Sequence, residues 1–227
     1  VVKNLGITIR LLAHASFQIK TESKIIYIDP STKYTNLKEK DFEPADLILV
    51  THSHEDHCDP KLLKKIRKMG SPIVAPTSCK KAIGKAGVVW DLDAGQFMDI
   101  SGGIKVRAVP AYNVKRFRSP GQPFHPKGLG VGFIITLEGK KIYHAGDTDL
   151  IPEMEGMYGI DVALLPAGDT YTMDISEASE AAIMINPEIA IAMHLKGANP
   201  EEFKTNVESK SSTKVVILGE GEEYTLE

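Results

Sequence analysis

Residues 51 to 60 read THSHEDHCDP, directly after the apolar run ADLILV, and hold three of the chain's seven histidines. A single histidine is usually surface or core furniture, but H-x-H-x-D-H has the spacing of a metal site. His52 and His54, two apart in an extended segment, point the same way. Asp56 and His57, at the turn into the next helix, are then directed at a second centre nearby. Imidazole and carboxylate donors suit Zn, with Fe and Mn as rivals, because mixed N and O sites do not select by affinity alone. More ligands are needed, and Asp147 in YHAGDTD and His194 in AIAMHLKG each close an apolar run. A carboxylate such as Asp147 can bridge two cations, and His194 can complete one of the two shells.

These groups must be held by regular elements. Short β-branched runs broken by turn formers predict strands at ITIRLLA, SFQIKT, KIIYIDP, LILVTH, SPIVAP, VVWDLD, FMDIS, IKVRAVPA, VGFIITLE, KKIYHAGD, DVALLPAG, EIAIAMH and KVVILGEG. A helix over DPKLLKKIRKMG has Asp59 as N-cap, Pro60 at its first position, Leu62, Leu63 and Ile66 as its stripe and Gly70 as its stop. SCKKAIGKAG reads as a short helix. DISEASEAAIMIN carries Asp174 and Glu177 in capping-box spacing with a stripe of Ile175, Ala178, Ala182 and Ile185. A last helix is expected around residues 200 to 208. Residues 113 to 128, NVKRFRSPGQPFHPKG, combine four basic residues with three prolines and two glycines, and read as a loop. Both halves run from strands into strand-helix units, which implies an α/β (α+β by some schemes) arrangement of two sheets face to face with helices outside.

Composition narrows the function. With 227 residues, 42% apolar, the expectation is one domain over 1–227. A net charge of -3 argues against a partner bound through bulk positive charge, so nucleic acid is disfavoured. Two cysteines give no disulfide framework and fit a reducing compartment. The start VVKNLGITIR has no leader-like apolar stretch, and no run is long enough for a membrane span, so a cytoplasmic location is expected. Exposed strands and the basic loop leave self-association open.

LLAHASFQI, IDP, THSHEDH, VPAYN, YHAGDTD, LLPAGDTYTM and AMH, in this order over nearly the whole chain, resemble the metallo-β-lactamase superfamily, in the branch that includes ascorbate-phosphate lactonase-like hydrolases. The resemblance implies a four-layer αββα sandwich of two mixed sheets, with a dinuclear site at one sheet edge. It also implies that His52 and His54 bind the first metal, Asp56 and His57 the second with His194, and Asp147 both. The superfamily's further histidine after the VPA strand is missing here, where AYN leaves Tyr112 and Asn113. Asn113 through its amide oxygen, a water, or His125 from PFHPKG can fill that place, with His125 preferred over a substrate-binding role; a single-metal site stays open.

The chemistry that follows is hydrolysis by a metal-activated water or hydroxide, with Asp56 orienting it. The substrate expected is a small anionic ester, lactone or phosphodiester; the alternatives are a nuclease of the tRNA-processing type and a non-catalytic metal-bound sensor or binding module. His144, or packing in its place, and His14 and Asp29 near the metal edge are candidates to support ligands. Lys115, Arg116, Arg118 and Lys127 either close over the metals or form a solvated loop. Thr170, Tyr171 and Thr172 lie in AGDTYTMD, with Tyr171 a candidate for positioning substrate. Cys58 is expected to be a small buried residue rather than a reactive thiol.

Overall fold

The computed structural model describes residues 6–226; residues 1–5, part of the stretch examined for a leader, and residue 227 lie outside them. The chain forms two compact units, one reaching Asp91 and taking back the segment from Leu218, the other Leu92–Ile217.

In the first unit the strands are β1 (Ile7–Ala13), β2 (Ser16–Lys20), β3 (Ile25–Ile28), β4 (Leu47–Leu49), β5 (Ile73–Ala75) and β6 (Val89–Asp91), joined from the far end of the chain by β16 (Glu223–Leu226). They form one seven-stranded sheet in the order β16-β1-β2-β3-β4-β5-β6. It is antiparallel from β16 to β3 and parallel from β3 to β6. The central parallel strands β4 and β5 are continuous apolar runs because both of their faces are buried, whereas β6 at the edge exposes Trp90. Helix α1 (Pro60–Ile66) starts where Asp59 accepts from the Lys61 and Leu62 backbone N–H groups, with Pro60 in the first turn. Its buried Leu62, Leu63 and Ile66 pack on Tyr27, Ile48 and Val50, at about 1.5–3 kcal/mol for each aliphatic side chain fully buried. A one-turn α2 (Lys80–Ile83) sits between 3-10 turns, less helix than SCKKAIGKAG suggested.

The second unit holds β7 (Phe97–Ile100), β8 (Ile104–Ala111), β9 (Phe117–Ser119), β10 (Gln122–Pro123), β11 (Gly130–Leu137), β12 (Lys140–His144), β13 (Val162–Pro166), β14 (Ile189–Met193) and β15 (Lys214–Val215). Its main sheet runs β15-β14-β13-β12-β11-β8-β7, parallel from β15 to β12 and antiparallel from there to β7. Helices α3 (Ile175–Ile185) and α4 (Pro200–Glu208) bury Ala178, Ala182, Phe203 and Val207 in the core shared with β13 and β14. The Asp174–Glu177 capping box opens α3 as the spacing predicts, and Asn186 closes it in the left-handed region.

Three expectations are corrected. Helix α1 ends at Ile66 rather than Gly70, because Arg67 is extended and the Ala45 N–H takes the Ile66 carbonyl. The 113–128 loop contains a small antiparallel hairpin, β9 with β10, turned through Gly121 at φ +74°. The last strand of the first unit, β16, was not anticipated, because EEYTLE alternates weakly and is defined by its pairing with β1. Among the described residues no helix is long and apolar enough to cross a membrane.

Candidate metal centre

Each unit presents its chemistry where parallel strands end, the edge at which open α/β sheets carry their sites. In the first unit β3 runs into Asp29 and β4 into the 51–57 segment. There the His54 carbonyl accepts from the His57 and Cys58 N–H groups at 3.0 and 2.8 Å, curling the motif into a turn before α1. The His52 ring lies 4.7 Å from His54 and 4.1 Å from His57, centroid to centroid, and His14 lies 5.7 Å from His57. Such crowding of imidazoles, with His52 and His57 buried, suits neutral rings offering lone pairs.

Their orientation is set by Asp29, which is fully buried. Its Oδ1 accepts from the Thr51 N–H at 2.7 Å. Its Oδ2 accepts from the Thr51 hydroxyl at 2.6 Å and from His57 Nδ1 at 2.8 Å. With its proton committed to Asp29, the Thr51 hydroxyl oxygen accepts from His52 Nδ1 at 2.9 Å. One carboxylate therefore puts the Nδ1 proton on both rings, directly and through a hydroxyl, and leaves Nε2 as the lone-pair atom of each. Asp29, His52 and His57 bring one donor atom each within 4.8 Å of one another, but the Asp29 oxygens already receive three hydrogen bonds, two of them from Thr51 and one from His57. Asp56 Oδ2 is half-buried, 3.3 Å from His14 Nε2 and 3.7 Å from His57 Nε2. His14 and Asp29 both have left-handed backbone, at φ 56° and 51°, strain that non-glycine residues usually avoid outside functional sites.

In the second unit β12 leads to Asp147 and β14 to His194, itself left-handed at φ 53°. Asp147 Oδ2 stands 3.3 Å from His125 Nε2 and 3.3 Å from His194 Nε2, all three side chains buried. The His194 backbone is pressed against Gly168, where an added Cβ would lie 2.1 Å from the His194 carbonyl oxygen. Only glycine permits that approach. His144, fully buried at the end of β12, accepts from the Gly146 N–H at 3.2 Å.

Asn113, in the AYN segment, is bound to His125. Its Oδ1 accepts from the His125 N–H and Nδ1, both at 2.8 Å, and its N–H donates to the His125 carbonyl at 2.8 Å. Its Nδ2 donates to Asp149 and to the Tyr171 carbonyl. The amide is thereby used up in holding His125, whose Nε2 faces Asp147. Asp149 was missed by the sequence reading although it is the second acid of GDTD. Fully buried, it gathers the N–H groups of Val114, Lys115 and Arg116 at 2.7, 2.6 and 3.2 Å and so shapes the segment carrying Asn113. Thr51 was likewise missed; its signal was its position immediately before the first histidine of the motif.

The basic loop is neither simply solvated nor wholly aimed at a substrate. Lys115 Nζ binds Glu177 at 2.6 Å, and Arg116 pairs with Glu177, Asp169 and Asp174. Lys127 Nζ is on Glu153 at 2.8 Å and over the Tyr112 ring. Tyr171 is half-buried against Phe124, Thr172 is buried, and Thr170 is exposed. Cys58 is buried as expected; burial first, then Asp29 and Asp59, pushes its thiol up to about 12.

The donor chemistry on both strand edges fits divalent metal: imidazoles with fixed Nε2 lone pairs beside carboxylates. Comparison with known proteins agrees. The beta-lactamase superfamily domain matches residues 8–194. A UPF0173 metal-dependent hydrolase of Pyrococcus abyssi is 38% identical, covering 97% of this chain and all of that one. The crystal structure of a Parabacteroides distasonis chain superimposes with a TM-score of 0.84 at 34% identity, covering 93% of this chain and 92% of that one. YhfI of Bacillus subtilis, a metallo-beta-lactamase fold protein, gives 0.74 at 12% identity over 98% of this chain and all of that one, a likeness of fold alone. The chain thus belongs to the beta-lactamase superfamily, with the metallo-β-lactamase αββα fold and its place among metal-dependent hydrolases.

Proposed function

We propose that this chain hydrolyses a small anionic ester, lactone or phosphodiester with one or two divalent ions, Zn foremost, held by His52, His54, Asp56, His57, Asp147 and His194, and that His125 supplies the missing third imidazole. The observation that carries this reading is the placement of one Asp147 oxygen at 3.3 Å from two buried imidazole nitrogens, the disposition of a carboxylate able to serve two ions. Asn113 supports the role of His125, since an amide that accepts from Nδ1 leaves Nε2 as the donor atom.

Bound ions supply a water acidic enough to act as nucleophile near neutral pH and a Lewis acid for the substrate oxygen. The protein's own groups do the rest. Asp56, the half-buried acid of the motif, would accept a hydrogen bond from the attacking water and orient it. Asp29, directly on His57 and through the Thr51 hydroxyl on His52, holds the imidazole protons on Nδ1. The buried thiols of Cys58 and Cys79 are consistent with a cytoplasmic setting.

Metal analysis of the purified protein, with hydrolysis of bis-p-nitrophenyl phosphate, p-nitrophenyl acetate and a simple lactone, tests this. The expected result is one to two equivalents of metal, turnover lost on chelation and restored by Zn, and His125→Ala lowering the metal content. Protein that binds no divalent ion, or turnover indifferent to chelator, refutes the hydrolase reading. Metal content unchanged in His125→Ala removes His125 from the ligand set.

A further inference from the structure

Four side chains of the second unit form a run that the sequence reading did not assemble. Arg118 Cζ lies 5.4 Å from the Phe124 ring centroid. Phe124 meets Tyr171 edge to face, centroids 4.8 Å apart at 87°. Lys196 Nζ stands 4.7 Å from the Tyr171 ring centroid. The neighbouring cations are already neutralised, Lys115 and Arg116 by Glu177 and Lys127 by Glu153. Among the described residues, Arg118 and Lys196 rest on rings and have no carboxylate partner. A cation over a half-buried ring at the surface is held weakly, whereas its hydrogen bond to an anionic oxygen is strong and charge-assisted. An arriving anion can therefore engage these two cations without displacing an acid.

Their place in the unit ties them to the candidate ligands. Lys196 follows His194 by two residues, on left-handed backbone at φ 46°. The Tyr171 carbonyl accepts from Asn113 Nδ2 at 2.9 Å, and the same amide holds His125. Both imidazoles face Asp147. Lys196 is thus two residues from one candidate ligand, and Tyr171 two hydrogen bonds, through Asn113, from the other.

We propose that Lys196, steadied over Tyr171, receives the anionic group of the substrate, a carboxylate or phosphate, with Phe124 as the adjoining wall and Arg118 as the outer contact. The class this selects is an ester, lactone or phosphoester whose anion sits beside a flat apolar portion. The proposal rests on the hydrolase reading for its meaning, but the binding it requires is measurable without turnover.

Calorimetric titration of wild-type protein with phenylphosphonate, benzoate and neutral benzamide, with metal loaded and with metal removed, tests it. The two anions are expected to bind more tightly than benzamide. Lys196→Gln is expected to weaken the preferred anion on the order of tenfold or more in both metal states, the loss of one hydrogen bond to a charged group, and to leave benzamide unchanged. Lys105→Gln, an exposed lysine at the start of β8, is the control and should change nothing. Whichever anion is lost more strongly identifies phosphate or carboxylate. Anions bound no better than benzamide, or bound by Lys196→Gln within twofold of wild type, overturn the proposal. Hydrolysis failing while the anion preference persists refutes only the enzymatic reading.

Discussion

Asp29→Asn is the sharpest perturbation of the centre, because it keeps the side chain's shape and removes only its capacity as an all-acceptor group. Three donors converge on the buried carboxylate: the Thr51 N–H at 2.7 Å, the Thr51 hydroxyl at 2.6 Å and His57 Nδ1 at 2.8 Å. An amide cannot accept from both sides. With its oxygen toward His57, its NH2 meets the Thr51 N–H, and a buried donor is left unmet at about 1–3 kcal/mol. Flipped, its NH2 meets His57 Nδ1, which must then lose its proton to Nε2, the atom assigned to the metal. Loss of such an outer partner typically lowers metal affinity 10–100-fold, about 1.4–2.7 kcal/mol. Competition against a chromophoric chelator reads the affinity, and a melting curve of the metal-free variant reads the folding cost separately. A folded Asp29→Asn protein with wild-type metal affinity would show that Asp29 does not govern the ligand tautomers.

Three further outcomes are expected. Gly168→Ala sets a Cβ 2.1 Å from the His194 carbonyl oxygen, backbone that cannot swing aside, so a loss of about 1–3 kcal/mol and weaker metal binding should appear together; an unchanged melting temperature contradicts this. Burial raises the Glu177 carboxyl, but Lys115, the Asp174 N–H and Arg116 outweigh it and hold the group below its ordinary 4.5. Its contribution to stability is therefore complete above pH 4.5 and disappears as pH falls through the lower folded value, so Glu177→Gln should flatten the acid limb of the stability curve. An acid limb as steep as wild type refutes that. Cys58, pushed up to about 12 and buried, should resist iodoacetamide at pH 8 in the folded protein and react once denatured, as peptide mass spectrometry would record; rapid labelling of the native chain argues against it.

Much of this was legible along the chain. Short β-branched runs and their turn formers marked most strands, and Asp59–Pro60 and Asp174–Glu177 marked two helix starts, because capping and strand propensity are local physics. H-x-H-x-D-H stood out as a candidate metal motif because metal ligands must be specific donor types at strand-turn spacing. The end of α1 was misplaced because the Ala45 N–H, remote in sequence, takes the carbonyl at Ile66. Strand β16 was hidden because its pairing with β1 spans nearly the whole chain.

The sequence by itself determined the donor inventory, the superfamily and the strand ends that carry the candidate ligands. The tertiary structure decided which polar groups serve those donors. Asn113 holds His125, Thr51 links His52 to Asp29, and the Arg116 guanidinium meets Glu177 rather than a ligand. The physical reason is that a hydrogen bond or ion pair depends on distance and direction between atoms, and residues 113 and 125, or 116 and 177, acquire these only when the chain has folded.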